Sequence, residues 1–141
     1  MRLITLGLLF LVLVAARCED DGALKAGDTF AYVGFDQQGA RVVEGQLRFD
    51  SVESDRVSGR WRLASSRPAN EIGPQKGEGS FAGSILGEQG RTTLALDLNP
   101  GIADDNVFLS GTLEGTRLTG QWGWSTLVGT VRSGRFEAVR D

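Results

Sequence analysis

Side chains that commonly carry chemistry are scarce in this chain of 141 residues. It contains no His and one Cys, Cys18, which excludes Ser–His and Cys–His catalysis, the common zinc sites and an internal disulfide. Acid–base catalysis would then depend on Asp or Glu. The formal net charge of −3 is not the basic balance typical of nucleic-acid-binding proteins. We therefore expect neither an enzyme nor a nucleic-acid partner.

Oxygen-bearing side chains are concentrated between positions 97 and 106. This set consists of Asp97, Asn99, Asp104, Asp105 and Asn106. A Ca²⁺ site needs about six to eight oxygen ligands, and the spacing here differs from the Asp-x-Asp-x-Asp-Gly loop. Asn-Pro-Gly and Asp-Asp-Asn are also ordinary turn sequences. The set is therefore a weak metal-site candidate, and we expect no metal and no cofactor.

An apolar segment precedes Cys18. The run from Leu3 to Val14 is uncharged, follows Arg2 and is shorter than the ~20 residues that span a bilayer. These features are typical of a secretory signal, which we assign to residues 1–17. Residues 18–27 then form an acidic tether, and residues 28–141 form the folded domain.

The hexapeptide Leu13-Val14-Ala15-Ala16-Arg17-Cys18 resembles the signal of bacterial lipoproteins, in which the Cys is lipidated and becomes the first mature residue. It departs from that pattern at Arg17, where a small residue is usual. The resemblance implies an exported protein of the bacterial cell envelope that is anchored to the membrane through Cys18. Ordinary cleavage after Ala16 is the alternative, and it would give a periplasmic or secreted protein.

Alternation of apolar and polar residues with a period of two runs through the rest of the chain, as in half-buried strands. The inward positions come from eight segments, represented by Phe30/Tyr32/Gly34, 43–49, 57–63, 79–85, Leu94/Leu96/Leu98, 107–113, Leu118/Gly120/Trp122/Trp124 and Gly134/Phe136/Ala138. None of the inferred inward positions is charged. Charges lie on the opposite faces, which is the reverse of a transmembrane barrel.

A glycine two residues before a large apolar residue recurs along these segments, as in Gly59/Trp61, Gly79/Phe81 and Gly134/Phe136. Inward glycines permit tight bends and leave room for a neighbouring ring, as curved barrels require. The pattern predicts an all-β protein: one antiparallel up-and-down β-barrel of about eight strands after the N-terminal signal segment.

The predicted connections differ in length between the two ends of such a barrel. Tight hairpins are expected at Ser54-Asp55, Glu88-Gln89-Gly90 and Gly115-Thr116. Long connections are expected at Asp36–Ala40, Ser65–Gly77, Asn99–Asp105 and Ser125–Thr130, all at the other end. Binding residues are often found on long loops at one end of a scaffold.

A small apolar or amphipathic ligand is therefore expected at the long-loop mouth. The aromatic candidates are Tyr32, Trp61, Trp122 and Trp124, and the polar candidates are Arg67, Asn70, Ser125 and Thr126. An apolar cavity with a few convergent polar groups is the usual form of such a site. The alternative is a filled core, with a structural or protein-binding role in the envelope.

Gly59-Arg60-Trp61 and Gly120-Gln121-Trp122 resemble the Gly-x-Trp element of the calycins, the small ligand-binding barrels that include lipocalins and avidins. The position of the element differs from that in the calycins, because it lies here on the third and seventh predicted strands rather than on the first. Trp124–Gly129 is also similar to a stretch of the avidin family close to a biotin-contacting Trp. The resemblance implies a calycin-like barrel architecture.

Overall fold

The computed structural model of the protein describes residues 22–88 and 91–141, so the predicted signal peptide and Cys18 lie outside the described residues. The elements are β1 (Thr29–Phe35), β2 (Arg41–Val52), β3 (Arg56–Ala64), α1 (Ala69–Ile72), β4 (Gly77–Glu88), β5 (Arg91–Asp97), β6 (Asn106–Glu114), β7 (Arg117–Thr126) and β8 (Gly129–Arg140). Each strand pairs with the next, and antiparallel pairing of β8 with β1 closes the barrel. The predicted all-β, up-and-down barrel is confirmed.

The alternating pattern correctly predicts which side chains face the interior. In β3, Trp61 is 6% exposed, whereas its neighbours Arg60 and Arg62 lie on the outer surface. Because successive side chains of a strand point to opposite faces, this one observation sets the orientation of the whole strand. The largest fully buried side chains are Trp122, Tyr32, Phe30, Phe49, Phe81, Phe136, Leu47, Ile72, Leu94, Leu96, Leu98 and Leu109.

Glycines of the glycine–aromatic repeat pair with aromatic residues of the neighbouring strand. Gly59 of β3 pairs with Phe81 of β4, and Trp61 pairs with Gly79. β7 and β8 show the same reciprocal pairing, since Gly120 pairs with Phe136 and Trp122 pairs with Gly134. The rings of Phe81, Trp61 and Trp122 lie over the glycines paired with them, where an added Cβ would come within 3 Å of the ring, for example 2.5 Å from Phe81 at Gly59. The Phe136 ring instead lies 2.8 Å from the Cβ position of Gly111 on β6. The inward glycines therefore provide the volume that the rings occupy.

The two barrel ends differ largely as predicted. At one end, short turns join β2 to β3 and, at Gly115-Thr116, β6 to β7; we call this the tight-turn end. At the long-loop end the connections are 36–40, 65–76 and 98–105, and the second of these contains the short helix α1.

The fourth long connection is wrong. Residues 125–130 are not a loop, because β7 and β8 continue pairing to Thr126 and Gly129 and are joined by Leu127 and Val128 alone. A register shift next to Ser125 breaks the sequence alternation there. Gly129 has a φ of +108°, which few other residues adopt readily, and so helps the chain reverse. The result is a β7–β8 ribbon in which β8 extends past β1; β7 still pairs with β6 as far as Ser125, so only the tip of the ribbon lies beyond both neighbouring strands.

Candidate functional site

The mouth at the long-loop end is filled by the chain's own segment 65–76. Ile72 of α1 is 1% exposed and belongs to the hydrophobic core, and Gln75 is fully buried. Gly73, between them, packs against the indole of Trp124, since a Cβ at this position would lie 2.4 Å from the Trp124 ring. The segment is therefore part of the folded core at this end.

Buried polar groups beneath this segment are bonded to one another. The Tyr32 hydroxyl donates to Gln75 Oε1 at 3.4 Å, and Gln75 Nε2 donates to the Ile72 carbonyl at 2.7 Å. Burial raises the pKa of the Tyr32 hydroxyl, so the group stays a neutral donor. Because these atoms already have partners, a ligand at this position would have to displace Gln75.

All three Trp indoles donate hydrogen bonds within the protein. Trp61 Nε1 bonds to the Leu98 carbonyl at 2.7 Å, and Trp122 Nε1 bonds to the Phe35 carbonyl at 2.9 Å. Trp124 Nε1 bonds to Asp105 Oδ1 at 2.6 Å. A buried Trp normally requires a partner for its N–H, and here the barrel supplies it.

A surface cleft of about 600 Å³ opens beside this filled mouth, between the turn at 36–38, segment 65–76 and the ribbon at 130–133. Among the predicted ligand residues, Arg67 and Trp122 line it. Arg67 forms an ion pair with Glu71 at 3.2 Å, and Trp122 is only 2% exposed. The accessible lining is therefore mostly polar rather than aromatic.

The remaining predicted polar contacts lie apart from that cleft. Asn70 is exposed on α1. On the ribbon, Ser125 Oγ is 3.2 Å from Thr130 Oγ1, and Thr126 Oγ1 accepts from the Val128 amide at 3.4 Å. Tyr32 and Trp61 are in the core. The structure thus distributes the predicted site residues between the core, the cleft, the helix and the ribbon.

The oxygen-rich segment 97–106 has structural contacts. Asp97 Oδ1 accepts from the Asn99 amide at 2.8 Å, and Asp104 Oδ1 accepts from the Leu127 amide at 2.9 Å. Asn106 Nδ2 donates to the Ile102 carbonyl, and its buried Oδ1 has no hydrogen-bond partner among the described residues. Within those residues, no three acidic side chains come together in a form that suits a metal ion. Two of these side chains, Asp104 and Asp105, fasten this loop to the ribbon.

In residues 22–88 and 91–141, the structure contains no helix of the length and apolarity that crossing a membrane requires.

Comparisons with known proteins add no relative: no protein-family model, no curated protein and no solved structure matches the chain. The closed eight-stranded antiparallel barrel is consistent with the calycin-like architecture that Gly-x-Trp implied.

The sequence interpretation missed the projecting ribbon and its exposed tip. Leu127 and Val128 are 77% and 94% exposed, although both are large aliphatic residues. A signal was present, because residues 121–131 contain no charge and Gly129 suits the residue that follows a tight turn. The bulge beside Ser125 obscured it by interrupting the period of two.

Proposed function

We propose that this chain is a non-enzymatic, exported protein of the bacterial cell envelope, anchored through lipid on Cys18, whose filled barrel presents its long-loop end to a protein partner. The observation that carries this proposal is the closure of the mouth by Ile72 and Gln75, which are 1% and 0% exposed. Together with the internally bonded indoles, this closure favours a surface role over an interior ligand.

The position of Gly22, the first described residue, supports the long-loop end as the one that faces a partner. The Gly22 backbone packs against Gly115 in a turn at the tight-turn end, and Arg140 Nη2 donates to the Gly22 carbonyl at 2.9 Å. Four peptide steps separate Cys18 from Gly22, a reach of at most roughly 14 Å. A lipid on Cys18 would therefore hold the tight-turn end close to the membrane and direct the long-loop end away from it.

Anchoring is tested by fractionating cells that express Cys18→Ser. Because a diacylated or triacylated Cys binds membranes stably, the wild-type protein should sediment with membranes and the variant should become soluble. Equal partitioning of the two proteins would contradict the anchor.

The choice of end is tested with a photo-cross-linking amino acid in intact cells. At the long-loop end it replaces Gln38 or Val128, and at the tight-turn end it replaces Ser54 or Thr116 as the matched control. We expect a discrete protein adduct from the first pair alone. Adducts of equal yield from both ends, or from neither, would refute a partner at the long-loop end.

A small ligand is the second candidate function, because the cleft of about 600 Å³ has the size of ligand pockets. Its lining favours an amphipathic molecule whose anionic group meets Arg67. Trp fluorescence titrations with fatty acids, isoprenoids and small aromatic metabolites test this idea, with Arg67→Ala and Trp124→Phe as comparison variants. A compound that changes the emission of wild-type protein and not of Arg67→Ala would favour this function, and no response at high micromolar concentration would rule it out.

A further inference from the structure

The two edges of the β7–β8 ribbon are treated differently by the fold. The outer edge of β7 is paired with β6 as far as Ser125, and near the tip the connection 98–105 adds contacts from Asp105 to Trp124 Nε1 at 2.6 Å and from Asp104 to the Leu127 amide at 2.9 Å. The β8 edge has no such cover among the described residues. Its residues 129–134 pair with β7 on one side, whereas pairing with β1 on the other side begins at Arg135.

Open space adjoins this edge along residues 130–133 and, next to it, along residues 133–135. The cleft of about 600 Å³ and a second one of about 470 Å³ both contact Ser133 of β8 and the turn at 36–38. Gln37 Nε2 donates to Ser133 Oγ at 3.2 Å and closes the lower end of the gap. Above this contact, residues 129–132 are exposed, and an added strand needs only about 4.8 Å of lateral room.

The edge has only part of the protection that normally prevents strand addition, namely one charge and one bulge. Proteins protect exposed edges with charges, especially Lys, with Pro, or with bulges. Residues 129–133 contain one charge, Arg132, and no Pro. A register shift leaves Val131 without a cross-strand partner, and bulges of this kind are common beside functional sites.

The side chains around the edge indicate what would bind. Val128 and Val131 are 94% and 38% exposed and offer aliphatic contact. Arg132 forms no ion pair within the described part of the chain, and its Nη1 donates instead to the Val131 carbonyl at 3.1 Å. A carboxylate on an added strand would therefore find a guanidinium that has no acidic partner there.

We propose that the open β8 edge, residues 129–133, binds an extended segment of a partner protein by strand addition, with an aliphatic side chain against Val131 and a carboxylate at Arg132. Main-chain hydrogen bonds would provide affinity, and these two side chains would provide selectivity. This inference rests on the proposed function, since it specifies where the partner binds at the long-loop end.

The test uses random heptapeptides displayed on phage, which are selected for binding to the immobilised mature protein. Enriched peptides are synthesised in two forms, unmodified and N-methylated at every residue, so that the second form has no backbone N–H to donate along the edge. Binding is followed by amide hydrogen exchange and by titration. We expect enriched peptides to contain aliphatic and acidic residues and to slow exchange of amides within 129–133 by at least about tenfold, because those amides would become hydrogen-bonded.

The variants separate charge from edge geometry. Arg132→Glu should weaken binding of an acidic peptide by at least about tenfold, since an attraction becomes a repulsion. Arg56→Glu, an equal charge change near the tight-turn end, should leave binding unchanged. N-methylation should abolish binding to both wild-type protein and Arg56→Glu, and it cannot affect the folding of the protein.

The remaining outcomes each overturn the strand-addition proposal. They are no enriched peptide, N-methylated peptides that bind as well as unmodified ones, or protection elsewhere than 129–133. A concentration-dependent dimer that protects the same amides without peptide would assign the edge to a second copy. If peptides bind the long-loop end away from β8, strand addition fails while the proposed function stands; if cross-linking from Gln38 and Val128 also fails, both fall.

Discussion

Substituting Gly79 by Ala tests the glycine–aromatic packing that builds this barrel. A Cβ at Gly79 would lie 2.7 Å from Cζ2 and 2.8 Å from Cε2 of Trp61. The indole cannot move away cheaply, because it is 6% exposed and its Nε1 is held by the Leu98 carbonyl at 2.7 Å. The new methyl group must therefore distort the core or break that hydrogen bond.

The magnitude follows from two opposing effects. Overpacking of a core costs about 1–3 kcal/mol, and replacing Gly by Ala in a compatible backbone restores about 0.4–1 kcal/mol by restricting the unfolded chain. We expect Gly79→Ala to lower the free energy of unfolding by about 1–2 kcal/mol. With a urea m-value of about 1–3 kcal/mol/M, the unfolding midpoint should fall by roughly 1 M.

Gly87→Ala is the matched control, since Gly87 is on the same strand and no described atom lies within 4 Å of its added Cβ. It should be neutral or slightly stabilising. In a Trp61→Phe background, the cost of Gly79→Ala should shrink by about 1 kcal/mol, as expected for residues in direct contact. Equal unfolding midpoints for Gly79→Ala and Gly87→Ala, or no coupling to Trp61, would refute the packing argument.

Three further predictions concern the core and the outer surface. Phe81→Ala should lower the free energy of unfolding by about 3–5 kcal/mol, because Phe81 is 1% exposed and its ring centroid lies 5.0 Å from that of Phe49. Arg62→Ala should change it by no more than about 0.5 kcal/mol in the same urea series, and a reversed order would mean that the strand faces are inverted. Hydrogen bonds from Arg60, with the attraction of Arg60 and Arg48, lower the pKa of Asp50. This stabilisation is present while Asp50 is ionised and is lost as the pH falls through its folded-state pKa; an NMR titration should show that pKa rising in Arg60→Ala, and an unchanged value would count against the contact.

Part of the candidate site could be predicted because it depends on local pattern. The long-loop end was recognised from turn and loop sequences, and three of its four connections have the expected position. The roles of the aromatic residues could not be predicted in the same way. Trp61 and Trp122 bond to carbonyls that are 37 and 87 residues away in sequence, so their partners exist only once the barrel closes.

The same distinction applies to the whole molecule. A period of two specifies which face of each strand is apolar, and tight-turn residues specify where strands reverse, so the sequence alone determined an all-β barrel with Trp61 inside and Arg60 outside. It did not determine that Ile72 and Gln75 close the mouth, or that β8 extends past β1 with an open edge at 129–134. Those features arise from contacts and strand offsets between distant segments, whose energies depend on the assembled barrel and leave no periodic signal in the chain.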